Sequence, residues 1–153
     1  MQIKDIEKII SQVLSPMNFK KKKRTWILIG DEITEIISLQ KSSFGNNCYL
    51  HHDYIVNNIP LDGLPCHTSE CWYMVNVDEI STLNSLLDLD NNITDEERKK
   101  LLYDYLTKRF TKYVGIVNTE KKFREIMENQ PALSRKVQEY FKIGVYSEKN
   151  GVC

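Results

Sequence analysis

The chain has 153 residues, of which 41% are hydrophobic and 27% are charged. This composition is typical of a folded globular domain and excludes a disordered chain. The longest apolar runs are only a few residues, so the sequence predicts no membrane-spanning helix and no membrane partner. The N-terminus carries Lys4, Asp5 and Glu7 among its apolar residues and therefore lacks the apolar core of a signal peptide. We expect a cytoplasmic protein with free thiols.

The first half of the chain predicts one helix followed by strands. Isoleucine, valine and leucine recur at helical spacing over residues 1–15, which predicts an amphipathic helix. Residues 24–29 and 32–40 have the composition of two strands joined by a tight turn that begins with glycine. Residues 48–56 and 71–77 predict two further strands, because they are rich in aromatic and β-branched residues.

The second half predicts helices over residues 78–144 and a loose tail over residues 145–153. Thr94 and Glu97 have the form of a capping box, which marks the start of a helix. Shorter helices follow around Phe123 and after Pro131, the last of them carrying Tyr140. The helix after Thr94 is predicted to be continuous over five turns, with a core-facing stripe of Leu101, Leu102, Tyr105, Leu106, Phe110, Tyr113 and Val117.

Strands in one block and helices in another predict an α+β fold. We expect an antiparallel sheet of about four strands over residues 24–77, with the N-terminal helix and four C-terminal helices packed against it. The length of the chain fits a single domain over residues 1–153.

Charge is distributed very unevenly although the net charge is zero. Residues 1–41 hold eight Lys/Arg and five Asp/Glu, residues 42–97 hold no Lys/Arg and ten Asp/Glu, and residues 98–153 hold thirteen Lys/Arg and six Asp/Glu. One interpretation is that the acidic middle and the basic third face each other. The other is that the acidic segment attracts a basic partner by long-range electrostatics. Its candidate partner-binding residues are Asp78, Glu79, Asp88, Asp90, Asp95 and Glu96.

The middle third also holds all three histidines and three of the four cysteines. Imidazole and thiolate are the ligands that zinc prefers, but the spacing matches no usual paired zinc motif. No phosphate-binding glycine loop, nucleophile elbow or His-Glu-x-x-His motif occurs in the sequence. The sequence thus predicts no catalytic residue and no resident cofactor, with zinc as the alternative. The candidate ligands would be Cys48, His52, Cys66, His67 and Cys71.

Five consecutive basic residues, 20–24, precede Trp26. Such a run binds phosphates in nucleic-acid-binding proteins, but here it lies between a helix and a strand and no nucleic-acid-binding motif accompanies it. We expect a solvated connector that leads into the first strand.

The segments PMNFKKKKRTW and ISLQKSSFGNNCYL, with the later Cys-His pair, resemble a bacterial family catalogued as domain of unknown function 4304. The resemblance covers residues 1–75 and implies a compact α+β domain without an established chemistry. It also implies that the lysine run is structural and that Trp26 points inward. The family's Cys-His pair tends to be followed by an arginine-containing stretch, which this chain lacks. The residues that carry the family motif are Gln40, Lys41, Ser42, Asn47, Tyr49, Cys66 and His67.

These features together favour a non-enzymatic binding protein with a protein partner. The specific hypothesis is an immunity-type protein that neutralises a basic toxin through its acidic middle segment. A zinc-binding domain or metal-dependent enzyme built on the Cys/His residues is the alternative, and nucleic-acid binding through residues 20–24 is the weakest interpretation.

Overall fold

The computed structural model describes residues 1–68, 77–128 and 135–142. Short 3-10 turns occupy Ser15–Met17 and Phe110–Lys112. The helices and strands, in chain order, are α1 Ile3–Leu14, β1 Lys20–Lys22, β2 Thr25–Ile29, β3 Ile33–Lys41, β4 Cys48–Val56, α2 Val77–Leu87, α3 Asp95–Lys108, α4 Glu120–Met127 and α5 Arg135–Phe141.

The four strands form one antiparallel sheet in the order β1-β2-β3-β4. Trp26 in β2 pairs with Ile37 in β3, which pairs with His52 in β4. The turn between β2 and β3 requires Gly30, because a Cβ at this position would lie 2.5 Å from the carbonyl oxygen of Ile33. The predicted α+β fold is confirmed, with an N-terminal helix and four later helices in the described part of the chain.

One strand of the sheet lies where a connector was predicted. Lys20–Lys22 form the edge strand β1, which pairs with β2 through a two-residue turn in which Lys23 has a positive φ of 55°. All three residues of β1 are exposed, so no apolar alternation marks the strand in the sequence. Lysines suit this position because charged side chains at a sheet edge hinder pairing with other chains.

The strand predicted over residues 71–77 lies almost entirely outside the described residues. Its last residue, Val77, begins α2. The predicted tail over residues 145–153 also lies outside the described part of the chain.

The core lies between one face of the sheet and the helices. A larger cluster joins α1 and α3 to the sheet through Ile6, Trp26, Ile37 and Leu102, all fully buried. Trp26 points inward as expected, and its Nε1–H donates to Ser11 Oγ at 3.0 Å. A smaller cluster at the other end of β3 and β4 contains Tyr54, Val56, Phe123, Val137 and Phe141.

The predicted five-turn helix is shorter than expected. Helix α3 ends at Lys108, and a 3-10 turn follows. At Gly115 φ is +78°, and its N–H donates to the buried carboxylate of Glu35 in β3, at 2.9 Å from Oε2. In a continuing helix this N–H would have bonded to a carbonyl oxygen of the same helix.

Two residues predicted in the core, Leu101 and Tyr140, are instead 41% and 45% exposed.

Within the residues that the structure describes, no helix is both long and apolar enough to cross a membrane.

Candidate functional site

The predicted partner-binding residues follow one another through α2, the connection after it and the start of α3. We call residues 88–97 the acidic turn. The capping prediction is confirmed in one respect, since Thr94 Oγ1 accepts from the backbone N–H of Glu97 at 3.3 Å. Carboxylates in the first turn of α3 are favoured by the helix dipole. Of the predicted residues, Asp78 and Glu79 lie in α2, Asp88 and Asp90 in the connection, and Asp95 and Glu96 in the first turn of α3.

The buried guanidinium of Arg98 holds the acidic turn from beneath. Arg98 is 1% exposed, although it is an arginine on a helix of mostly charged residues. Its Nη1 donates to the carbonyl oxygen of Leu86 at 2.9 Å, and its Nη2 donates to Asn91 Oδ1 at 2.6 Å. Longer bonds reach the carbonyl oxygens of Ser85 and Ile93. Arg98 therefore links the C-terminal end of α2 to Asn91 and Ile93 of the acidic turn from inside the protein.

The turn between β3 and β4 (residues 42–47) is attached to the acidic turn. The N–H of Asn46 donates to Asp90 Oδ2 at 3.2 Å, and the N–H of Leu89 donates back to the carbonyl oxygen of Asn46 at 3.2 Å. Asn47 and Asp88 form an isolated antiparallel bridge. These contacts place the end of the sheet and the acidic turn side by side on the surface.

Several of the acidic groups have partners within the chain. Asp95 Oδ2 lies 2.6 Å from the N-terminal ammonium of Met1. Glu79 Oε2 accepts from the hydroxyl of Tyr113 at 2.9 Å, and this bond raises the pKa of Tyr113. The Tyr105 hydroxyl donates to the Glu79 carbonyl oxygen at 3.1 Å, and burial raises the pKa of Tyr105 to about 12. Through these two bonds Glu79 connects α2 to α3 and to the residues after α3. Glu96, by contrast, is exposed.

Four of the five predicted zinc ligands lie among the described residues, and these four form no metal site. Cys48 and His52 share the core face of β4, as alternation predicts, but the Cys66–His67 segment contacts β4 near Tyr54. Tyr54 lies six residue steps along β4 from Cys48, a distance of roughly 20 Å. In the described parts of the chain, no three His, Cys, Asp or Glu residues form a possible metal site. Cys71 lies outside the described residues, so the zinc hypothesis stays a prediction that elemental analysis of the purified protein would test.

His67 and its neighbours close the outer edge of β4. The N–H of Val56 donates to His67 Nδ1 at 2.9 Å, so this nitrogen carries no proton, and Nε2–H donates to the Pro60 carbonyl oxygen at 3.3 Å. The N–H of His67 donates to the Tyr54 carbonyl oxygen at 2.9 Å. The Cys66 thiol donates to the carbonyl oxygen of Thr68 at 2.8 Å, and burial raises its pKa. These bonds attach the Cys66–Thr68 segment to the outer edge of β4.

The basic run is partly neutralised by α1. Lys21 Nζ and Arg24 Nε lie 2.8 Å and 3.1 Å from the two carboxylate oxygens of Glu7. The hydrogen bond from Lys21, followed by that from Arg24, lowers the pKa of Glu7. Lys21 Nζ also lies 5.6 Å from the centroid of the Trp26 ring, within the range of a cation–π contact. Two of the five basic residues therefore attach the first hairpin to α1.

The family-motif residues divide between the two ends of the sheet. Gln40 and Lys41 end β3, and Gln40 Oε1 lies 3.0 Å from His51 Nε2 across the sheet. Ser42 and Asn47 close the β3–β4 turn through the bond from the Ser42 N–H to the Asn47 carbonyl oxygen at 2.9 Å. Tyr49 lies opposite Gln40 and is 41% exposed. One group of motif residues therefore adjoins the acidic turn, whereas Cys66 and His67 lie far from it.

A buried ionisable pair, which the sequence analysis did not identify, lies in the middle of the sheet. Glu35 Oε1 and His52 Nε2 are 2.5 Å apart, and each residue is 2% exposed. Tyr54 and Phe110 pack around the imidazole. Glu35 alternates with Ile33, Ile37 and Leu39 on the core-facing side of β3, a sequence signal that suggests a buried partner. Both carboxylate oxygens of Glu35 also accept from the N–H of Gly115, at 3.2 Å and 2.9 Å, so this carboxylate connects the sheet to the residues that follow α3.

A comparison with known protein families finds a match within the first half of the chain. The model of the family described as domain of unknown function (DUF4304) matches residues 10–64. The match includes the sheet and the motif residues at the β3–β4 turn, and it excludes the Cys-His pair and the acidic turn. It confirms the family resemblance over a shorter range than residues 1–75. No curated protein and no solved structure matches the chain.

Proposed function

We propose that this chain, whose residues 10–64 match the DUF4304 family model, is a non-enzymatic binding protein whose acidic turn recognises a basic protein partner. The sheet and α1 would serve as the scaffold, and the surface formed by the acidic turn and the β3–β4 turn would carry the interaction. The specific form of the proposal is an immunity-type protein that neutralises a basic toxin.

One observation carries the proposal: in the described part of the chain, no lysine or arginine forms an ion pair with Asp88, Asp90 or Glu96. Asp95 pairs with the N-terminal ammonium of Met1 and with no lysine or arginine of the described residues. The alternative, in which the acidic and basic segments neutralise each other, applies to Asp62, which pairs with Lys136. A concentrated negative charge raises the rate of association with a positively charged surface.

The class of partner follows from this charge. A nuclease binds the phosphate backbone of its substrate, so its active site presents lysine and arginine side chains. A row of carboxylates fixed on a rigid turn can occupy such a site in place of phosphates. A small protein with this surface would block a nuclease without performing any chemistry of its own.

The test begins with affinity purification of the full chain from its source cells, followed by measurement of binding kinetics with the purified partner. The variant Asp88→Asn/Asp90→Asn/Asp95→Asn/Glu96→Gln removes charge while keeping an acceptor oxygen on each side chain. We expect association to slow by about tenfold at low salt and to lose most of its dependence on salt.

A matched control neutralises four carboxylates elsewhere on the chain, in Asp31→Asn/Asp104→Asn/Glu125→Gln/Glu128→Gln. This variant has the same net charge as the first, so it separates a local effect from a global one. Equal association rates for the two variants would refute binding through the acidic turn.

A further inference from the structure

The β3–β4 turn presents a fully exposed phenylalanine, Phe44, beside the acidic turn. We propose that Phe44 is the apolar anchor of the partner-binding surface and inserts into an apolar pocket that has a basic rim on a protein partner. This inference rests on the proposed function and adds the chemistry of the partner's binding site to it.

The exposure of Phe44 is imposed by a well-bonded turn. Its own N–H donates to Ser42 Oγ at 3.1 Å, and the Ser42 N–H donates to the Asn47 carbonyl oxygen at 2.9 Å. The next residues are held to the acidic turn through Asn46 and Asp90. An aromatic side chain on a turn fixed in this way loses little backbone freedom when it binds, which favours affinity.

The surroundings of Phe44 define the pocket that it fits. A Cβ placed on the neighbouring Gly45 would lie 3.8 Å from Asp90 Oδ2, which shows how closely the carboxylate adjoins the tip of the turn. Interfaces typically combine a buried aromatic anchor with a polar rim that excludes water. Here carboxylates form part of the rim, so the complementary surface is an apolar pocket bordered by lysine or arginine.

The same charges argue against a lipid surface as the occupant. An exposed phenylalanine on a loop can insert into a membrane, but the headgroups of anionic lipids repel carboxylates beside it. Lysines accompany membrane-inserting aromatic residues, whereas Asp88 and Asp90 adjoin this one. A basic protein therefore fits the site better than a bilayer does.

The first experiment places the photo-crosslinking residue p-benzoylphenylalanine at position 44 of the full chain in the source cells. The control carries the same residue at position 29, where Ile29 is 79% exposed at the opposite end of β2 and β3. We expect one discrete adduct with a basic protein from position 44 and none of that mass from position 29. An adduct with lipid, an adduct with a second copy of this chain, the same adduct from both positions, or no adduct would each overturn the inference.

The second experiment measures the affinity of the crosslinked partner, once purified, for the Phe44→Ala variant. We expect binding to weaken at least about 30-fold, as for the central residue of an interface, while Ile29→Ala binds within about twofold of the unmodified chain. Because Phe44 has no buried surface, the thermal midpoint should not change, which excludes misfolding as the cause. A loss below about threefold for Phe44→Ala would overturn the inference.

The two proposals fail in different ways. If charge removal in the acidic turn slows association while Phe44→Ala binds normally, the anchor is refuted and the proposed function stands. If Phe44→Ala binds weakly while the association rate changes neither with salt nor with charge removal in the acidic turn, the anchor stands and recognition by the acidic turn is refuted.

Discussion

Replacing Arg98 by methionine should destabilise the protein more than any substitution at an exposed charged residue. Methionine retains much of the apolar length of the side chain and removes every hydrogen-bond donor. The carbonyl oxygen of Leu86 and the side-chain oxygen of Asn91 would then lose the guanidinium that now bonds to them at 2.9 Å and 2.6 Å. Since Arg98 is 1% exposed, water could not replace these bonds without opening the turn.

The expected magnitude follows from the two short bonds. A hydrogen bond to a charged group contributes about 1.5–3 kcal/mol, so the pair contributes about 3–6 kcal/mol. Removing a buried charge also removes its desolvation cost, which offsets part of the loss. We therefore expect the free energy of unfolding to fall by about 3–4 kcal/mol, a large share of the usual total of about 5–15 kcal/mol.

Urea unfolding followed by far-ultraviolet circular dichroism measures this change. With a slope of about 2 kcal/mol per molar urea, the midpoint should fall by about 1.5–2 M. The matched control is Lys100→Met, two positions along the same helix at an exposed site, which should stay within about 0.5 kcal/mol of the unmodified chain. A loss below about 1 kcal/mol for Arg98→Met would refute the view that this guanidinium holds the acidic turn.

Two further predictions concern ionisable groups. Because Lys21 and Arg24 lower the pKa of Glu7 below its ordinary value of 4.5, its stabilising effect is present above that value and is lost as the pH falls through the lowered pKa. Glu7→Gln should therefore lower the free energy of unfolding by about 1 kcal/mol at neutral pH and by almost nothing near pH 2. Urea unfolding at both pH values measures this difference, and an equal loss at both would contradict the ion-pair explanation. Burial raises the pKa values of the Cys48 and Cys66 thiols above 9.0, so near pH 8 both should be alkylated at least about tenfold more slowly in the native protein than in urea. Peptide mapping by mass spectrometry measures both rates, and equal rates in the two states would show that these thiols are not protected.

The α+β class and the positions of α1, β2, β3 and β4 follow from local sequence patterns, whereas the inward orientation of Trp26 was an implication of the family resemblance. Apolar residues repeat at the helical period in α1 and at the strand period in β4, and these periods depend only on backbone geometry. The cap at Thr94 is equally local, because its side chain and the amide that it accepts from are three residues apart.

Long-range contacts decided the features that the sequence analysis missed. Strand β1 exists because Lys20–Lys22 pair with β2, although nothing in a run of lysines indicates a strand. Helix α3 ends at Lys108, short of the predicted five turns. Beyond it, Gly115 donates its N–H to Glu35, which is 80 residues away in the chain.

The candidate site shows the same distinction. The sequence identified the acidic residues by their number and by the absence of lysine and arginine, since charge is a property of composition. It could not show that Arg98 lies beneath the turn, that Asp90 holds the backbone of Asn46, or that these bonds leave Phe44 exposed beside the carboxylates. Burial and hydrogen bonding between distant residues depend on how helices and sheet pack, and that packing exists only in the folded chain.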